Sequence, residues 1–177
     1  MTDLTLPNEN RDHVRGRKDA PVTLLEYGDY ECPHCGRAYW ILKKIEQALG
    51  DDLRFAFRNF PLTQAHPHAF HAALAAEAAA LQGKLWQMHD MIFEHQDSLD
   101  DESLAGYAEA LGLDLDQFVD DMASQKLQQR VQEDFMSGVR GGVNGTPTFF
   151  INGRRYDGSY EYEYLFAAIE QSRRAAV

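Results

Sequence analysis

Cysteine is scarce in this chain: two residues in 177, Cys32 and Cys35. One closely spaced pair cannot staple a small secreted scaffold, so a disulfide framework is excluded as the basis of the fold. No apolar run approaches the roughly 18 residues that a spanning helix needs, which argues against membrane insertion. Basic residues are outnumbered, 17 Lys and Arg against 28 Asp and Glu, for a net charge of -11. That balance argues against a general binder of nucleic acid or anionic membranes. Met1 to Asp19 contains no apolar stretch of the secretory kind, so the chain reads as cytoplasmic. A periplasmic or other extracytoplasmic location is the alternative if a leader has been removed. Internal repeats and low-complexity linkers are also missing.

What is present reads as one ordinary globular domain. The composition is 44% hydrophobic with aromatics spread throughout, and the length suits one core rather than two. Residues 1–12 read as a flexible tail and 13–177 as the domain. Asp12 to Gly16 reads as a short edge strand. Val22 to Tyr27 is a strand, β-branched and apolar with one acid inside it. Pro33 to Leu49 has the period of an amphipathic helix, ended by Gly50. Leu53 to Phe60 alternates as a strand with one buried face, so these three form a βαβ unit. From about 63 to 143 the pattern turns helical, with helices expected over 67–82, 84–95, 102–111, 116–123 and 126–140. Strand signals return at Thr148 to Ile151. Asn152-Gly153 is a two-residue hairpin turn, Arg154 to Tyr156 the return strand, and Glu161 to Arg174 a closing helix.

The chemistry concentrates at Cys32-Pro33-His34-Cys35, just after the first apolar strand. Pro33 suits the first helical position, which makes Cys32 the N-cap and sets Cys35 about one turn in. Free backbone N–H groups and the helix dipole there favour a thiolate on Cys32. Cys32, expected to be exposed at the helix tip, is the candidate nucleophile and Cys35 the resolving thiol. His34 adds a donor near the thiolate and, when protonated, a positive charge. A zinc half-site is the rival reading, but a metal wants two further ligands and there is no second cysteine pair. Glu26, inside the strand, either faces inward with a raised pKa, as a proton shuttle for Cys35, or lies on an exposed face; both faces of the strand are apolar, so parity leaves this open. Thr146-Pro147 is either a plain strand start or a turn, with a cis bond, that lies against the disulfide and offers backbone groups to a substrate.

Glu26, Cys32 to Cys35 and Gly145-Thr146-Pro147-Thr148-Phe149-Phe150 together resemble the thioredoxin superfamily. The long helical insert, with Phe57 to Leu62 and Gly83-Lys84-Leu85-Trp86, is similar to its DsbA-like branch. The resemblance covers about Asp12 to the C-terminus. It implies an α/β thioredoxin fold, a central mixed sheet built as βαβ then ββα, with a helical insertion. It also implies Cys32 as nucleophile, Cys35 as resolving thiol, Glu26 as buried proton acceptor and Pro147 as cis. Pro33, Thr146 and Pro147 are then the expected substrate contacts.

The implied activity is thiol–disulfide exchange with protein or small thiols through a mixed disulfide at Cys32. Thiol- or disulfide-containing proteins and a redox partner are the expected partners, and no organic cofactor is needed. A metal-delivery module using the two thiols and a His, and a glutathione-linked isomerase or transferase, are the alternatives. His66, His68 and His71 cluster at a helix start, where capping or a polar helix face is favoured over metal binding. Trp86, Met88, Met91 and Phe93 suggest core packing, with one or two lining a groove. Asp97 to Glu102 reads as a solvated loop.

Overall fold

The computed structural model describes residues 6–176. Residues 1–5 of the expected tail lie outside the described residues. Five strands form one sheet in the order β1-β3-β2-β4-β5: β1 (His13–Arg15), β2 (Val22–Gly28), β3 (Leu53–Asn59), β4 (Thr148–Ile151) and β5 (Arg154–Tyr156). β2 and β3 run parallel, joined through helix α1 (Pro33–Leu49), and the other pairs are antiparallel. This is the mixed sheet of βαβ and ββα units expected from the sequence. The β4–β5 turn places Asn152 at φ 48° and Gly153 at φ 80°, the two positive values a tight hairpin requires.

Five helices lie between β3 and β4: α2 (Ala69–Leu81), α3 (Leu85–Glu94), α4 (Asp101–Ala110), α5 (Leu115–Met122) and α6 (Gln125–Arg140). α7 (Tyr162–Ala175) closes the chain. α2 packs against α3, α4, α5 and α6, and its alanines keep those approaches close, with Ala72, Ala73, Ala75, Ala76, Ala78 and Ala79 all buried. A helix apolar all round is a buried helix. The acidic stretch is only partly loop: Asp100 caps α4 by accepting from Ser103 N at 2.9 Å, with Asp101 and Glu102 in the first turn. Carboxylates are favoured there by the free N–H groups.

Both faces of the sheet are covered. Val22, Leu24, Phe55 and Phe57 join the large core shared with α1, α2, α3 and α7. Leu25, Tyr27, Ala56, Phe60 and Phe150 form a smaller core with Val143 on the other face. The chain just before β1 is tied down, although it was expected to belong to a loose tail. Arg58 donates from Nε to Asp12 Oδ1 at 2.8 Å and from Nη2 to Asp12 Oδ2 at 2.7 Å, with both side chains buried. A buried guanidinium needs such a paired, bidentate partner.

Candidate active site

β2 ends at Gly28, and residues 29–31 carry the chain into α1. Cys32 is the N-cap with extended backbone (φ -66°, ψ 123°), Pro33 follows at the first helical position, and Cys35 lies in the first turn. Both thiols are free. Cys32 is only 4% exposed and Cys35 is fully buried, which corrects the expectation of an exposed Cys32. The cause is the sheet register. β4 pairs with β2 so that Thr148 sits opposite Tyr27, near the end of β2. The residues just before β4 therefore fall against the tip of α1, where Cys32 Sγ lies 3.7 Å from the Thr146 carbonyl oxygen. The Thr146–Pro147 peptide bond is cis, and the two residues are half-buried.

The two thiols are driven apart electrostatically. Cys32 is lowered from 9.0 to about 5, chiefly by a hydrogen bond from the Cys35 thiol. Burial opposes that shift, while Thr146 and the backbone N–H groups of Cys35 and His34 add to it. Cys35 is pushed well above its ordinary value, first by burial and then by its bond to Cys32 and the charge of Glu26. Glu26 faces inward, 2% exposed, between Phe57 on β3 and Phe149 on β4. Burial pushes its carboxyl up to about 8 against the pull of Arg15. Its Oε1 has no hydrogen-bond partner among the described residues. A carboxyl that pays desolvation without compensation favours the protonated form.

His34 differs from expectation. Its exposed ring turns away to Tyr160, Nδ1 lying 2.9 Å from the hydroxyl. What His34 supplies to the Cys32 thiolate is its backbone N–H. Pro33, beside it, is exposed.

Three residues that sequence reasoning missed organise the loop. Asp29 is buried. Its Oδ1 accepts from Glu31 N at 2.8 Å and Cys32 N at 3.2 Å; its Oδ2 accepts from Leu62 N at 2.9 Å and lies 2.8 Å from His66 Nδ1. Its own N–H donates to Cys35 Sγ at 3.4 Å. Gln96 Nε2 donates to the carbonyls of Tyr30 and Cys32, at 2.9 and 3.0 Å. Gly36 makes room for that amide, since a Cβ there would lie 1.9 Å from Gln96 Oε1. An acid three residues before a cysteine N-cap was the one local signal for Asp29; Gln96 has none.

The histidines do not converge. His66 pairs with Asp29, His68 precedes α2 with its N–H bonded to Glu31 Oε2 at 2.6 Å, and His71 faces Asp101. Among the described residues no group of three or more His, Cys, Asp or Glu side chains is gathered as a metal site. Met88 and Phe93 are buried, whereas Trp86 and Met91 are half-buried. An open apolar groove lies elsewhere, about 350 Å³ lined by Pro61, Thr63, Phe70, Val131, Phe135 and Met136. It adjoins the site through Leu62, whose N–H reaches Asp29.

A dithiol at the N-terminus of the helix that follows the central strand, facing a cis-proline turn, defines the thioredoxin-like class of protein. The family model described as Thioredoxin matches residues 8–171, and the chain belongs to that family. The fold is that of its DsbA-like members. A thioredoxin-like oxidoreductase from Silicibacter pomeroyi DSS-3 superposes with a TM-score of 0.84 at 27% identity, over 97% of this chain and 96% of its own. BdbD from Bacillus subtilis shares the fold, with a TM-score of 0.83 at 24% identity over 95% and 96% of the two chains. In sequence, the chain is 48% identical over 172 residues to the Na(+)/H(+) antiporter NhaA 1 of Salinispora arenicola, covering 96% of this chain and 26% of that protein. The antiporter of the same name from Mycolicibacterium vanbaalenii is 47% identical over 167 residues, 93% of this chain and 27% of its own. The chain thus spans about a quarter of the length of these curated relatives. Among the described residues no helix is long and apolar enough to cross a membrane.

Proposed function

We propose that the protein is a thiol–disulfide oxidoreductase whose Cys32–Cys35 pair exchanges with protein or small thiols through a mixed disulfide at Cys32, and that it works as an oxidant. The observation that carries this reading is the opposite treatment of two thiols within one helical turn: Cys32 lowered to about 5 and Cys35 raised well above its ordinary value. A thiolate stabilised in the reduced state makes the corresponding disulfide more oxidising.

In the oxidising direction a substrate thiolate attacks Cys32 Sγ and the Cys32–Cys35 bond breaks. Cys35 departs with the electron pair and takes up a proton. Glu26 is the group we assign to that proton, because it holds a proton at pH 7 and its ionisation is coupled to that of Cys35. A second substrate thiolate then attacks the substrate sulfur of the mixed disulfide and releases Cys32 as a thiolate. Run backwards, Cys35 resolves the mixed disulfide and passes its proton to Glu26. Thr146 and Pro147 form the wall against which substrate backbone lies, Pro33 is a contact on the helix side, and the groove beside Leu62 takes apolar side chains of a protein substrate.

An oxidant of this kind belongs in an extracytoplasmic compartment, because a cytoplasmic thiol pool would hold its dithiol reduced. The test is trapping. Cys35→Ser accumulates covalent partners that dithiothreitol releases, whereas Cys32→Ser traps none and loses exchange. Full exchange activity in Cys32→Ser would contradict the assignment.

A further inference from the structure

We propose that Asp29 and His66 are a positioning pair for the dithiol, with the His66 imidazolium supplying, through Asp29, the positive charge that offsets the Cys32 thiolate. This rests on the thiol–disulfide reading and adds to it a residue 34 positions away in sequence. The sequence pointed to the neighbouring imidazole of His34 for that charge, but the His34 ring is taken up by Tyr160.

The argument starts from Asp29. Its side chain is fully buried and makes one hydrogen bond to the Cys32 amide, while its own amide bonds the Cys35 sulfur. A lone carboxylate bonded to the Cys32 amide would disfavour a thiolate on that residue. The arrangement therefore needs a compensating cation, and buried charges persist only when paired. His66 Nδ1, 2.8 Å from Asp29 Oδ2, is that partner. Among the described residues no Lys or Arg is paired with Asp29. The anchoring is also tight: the neighbouring Leu62 N–H bonds the same Oδ2, so the turn that carries His66 is fixed to the loop that carries Cys32.

The charged groups facing His66 are Asp29, Glu31 and Cys32. Burial lowers the affinity of His66 for a proton, but the bond to Asp29, its charge and the Cys32 thiolate together raise its pKa above the ordinary 6.5. Such coupling is reciprocal: if the thiolate favours the imidazolium, the imidazolium favours the thiolate. The sign follows. The offset is present while His66 is protonated and is lost as pH rises through its raised pKa.

The test is equilibration of the intact protein with glutathione, dithiol plus oxidised glutathione giving disulfide plus two reduced glutathione, at pH 6 and pH 9. Wild type is compared with His66→Gln, His66→Ala, Asp29→Asn and the Asp29→Asn/His66→Gln double variant. His66→Gln keeps a hydrogen-bond donor but cannot carry charge. At pH 6 it should shift the equilibrium toward the disulfide by about three- to tenfold, the order expected for one partly screened charge. The shift should be matched by His66→Ala, fade at pH 9, and be absent when His66→Gln is added to Asp29→Asn. A wild-type constant for His66→Gln at pH 6, or an equal offset at both pH values, would overturn the inference and leave His66 a structural anchor. A wild-type protein with no reversible Cys32–Cys35 couple would instead overturn the functional reading beneath it.

Discussion

Replacing Glu26 by Gln should make the protein more stable, and by an amount that depends on pH in a defined way. Glu26 is buried, its Oε1 is unpartnered among the described residues, and its carboxyl titrates near 8 rather than at the ordinary 4.5. Between those two values the folded protein holds a proton that the unfolded chain has released. Stability contributed by this group therefore falls as pH rises from about 4.5 to about 8. At about 1.4 kcal/mol for each pH unit, the penalty is about 3 kcal/mol at pH 7 and about 5 kcal/mol above pH 8. Gln has nearly the same shape and no charge to desolvate. The assay is urea denaturation of wild type and Glu26→Gln at pH 4.5, 7 and 8.5, both oxidised so that neither thiol titrates. The thiolate's share of the push on Glu26 is absent in that form, so the measured gain is the smaller one. A gain near zero at pH 4.5 that grows to several kcal/mol at pH 8.5 is the expected result. A difference between the two proteins that does not change with pH would refute the raised pKa and, with it, Glu26 as a protonated group at pH 7.

Three further outcomes are expected. Cys32 is lowered from 9.0 to about 5, so the reduced protein should gain stability relative to the oxidised one as pH rises from about 5 toward 9. That gain is worth about 3 kcal/mol at pH 7 and is read by denaturing both forms across that range. Thiolate absorbance at 240 nm should titrate near pH 5 in wild type and vanish in Cys32→Ser. Gly36→Ala should displace Gln96 from the carbonyls of Tyr30 and Cys32 and cost about 1–3 kcal/mol for the two bonds. Gln96→Ala should cost a similar amount, and the double variant little more than either, as thermal unfolding of all three will show.

The parts of the fold governed by local signals were legible. The strand before Cys32, the helix behind Pro33, the Asn152-Gly153 hairpin and the helices of the insert fall within a residue or two of their periodic patterns. The direction of Glu26 was legible only through the family resemblance, because β2 is central and apolar on both faces; alternation decides orientation only where one face meets water. The burial of Cys32 was hidden for a different reason. It depends on the Tyr27–Thr148 register between strands 121 positions apart, which no local pattern encodes. Asp29 has no role in the sequence reading, since its partners Leu62 and His66 arrive from beyond the far end of β3. His34 does give the Cys32 thiolate a donor, its backbone N–H, while its ring meets Tyr160, a partner 126 positions away that adjacency to a cysteine does not reveal.

The reduction potential of the Cys32–Cys35 pair, measured by equilibration with glutathione at pH 7, tests the central claim most directly. A helix-tip thiolate stabilised to the extent seen here gives a potential nearer about -120 mV than about -270 mV. A value at or below about -270 mV would contradict the account, making the protein a reductant despite its low-pKa cysteine.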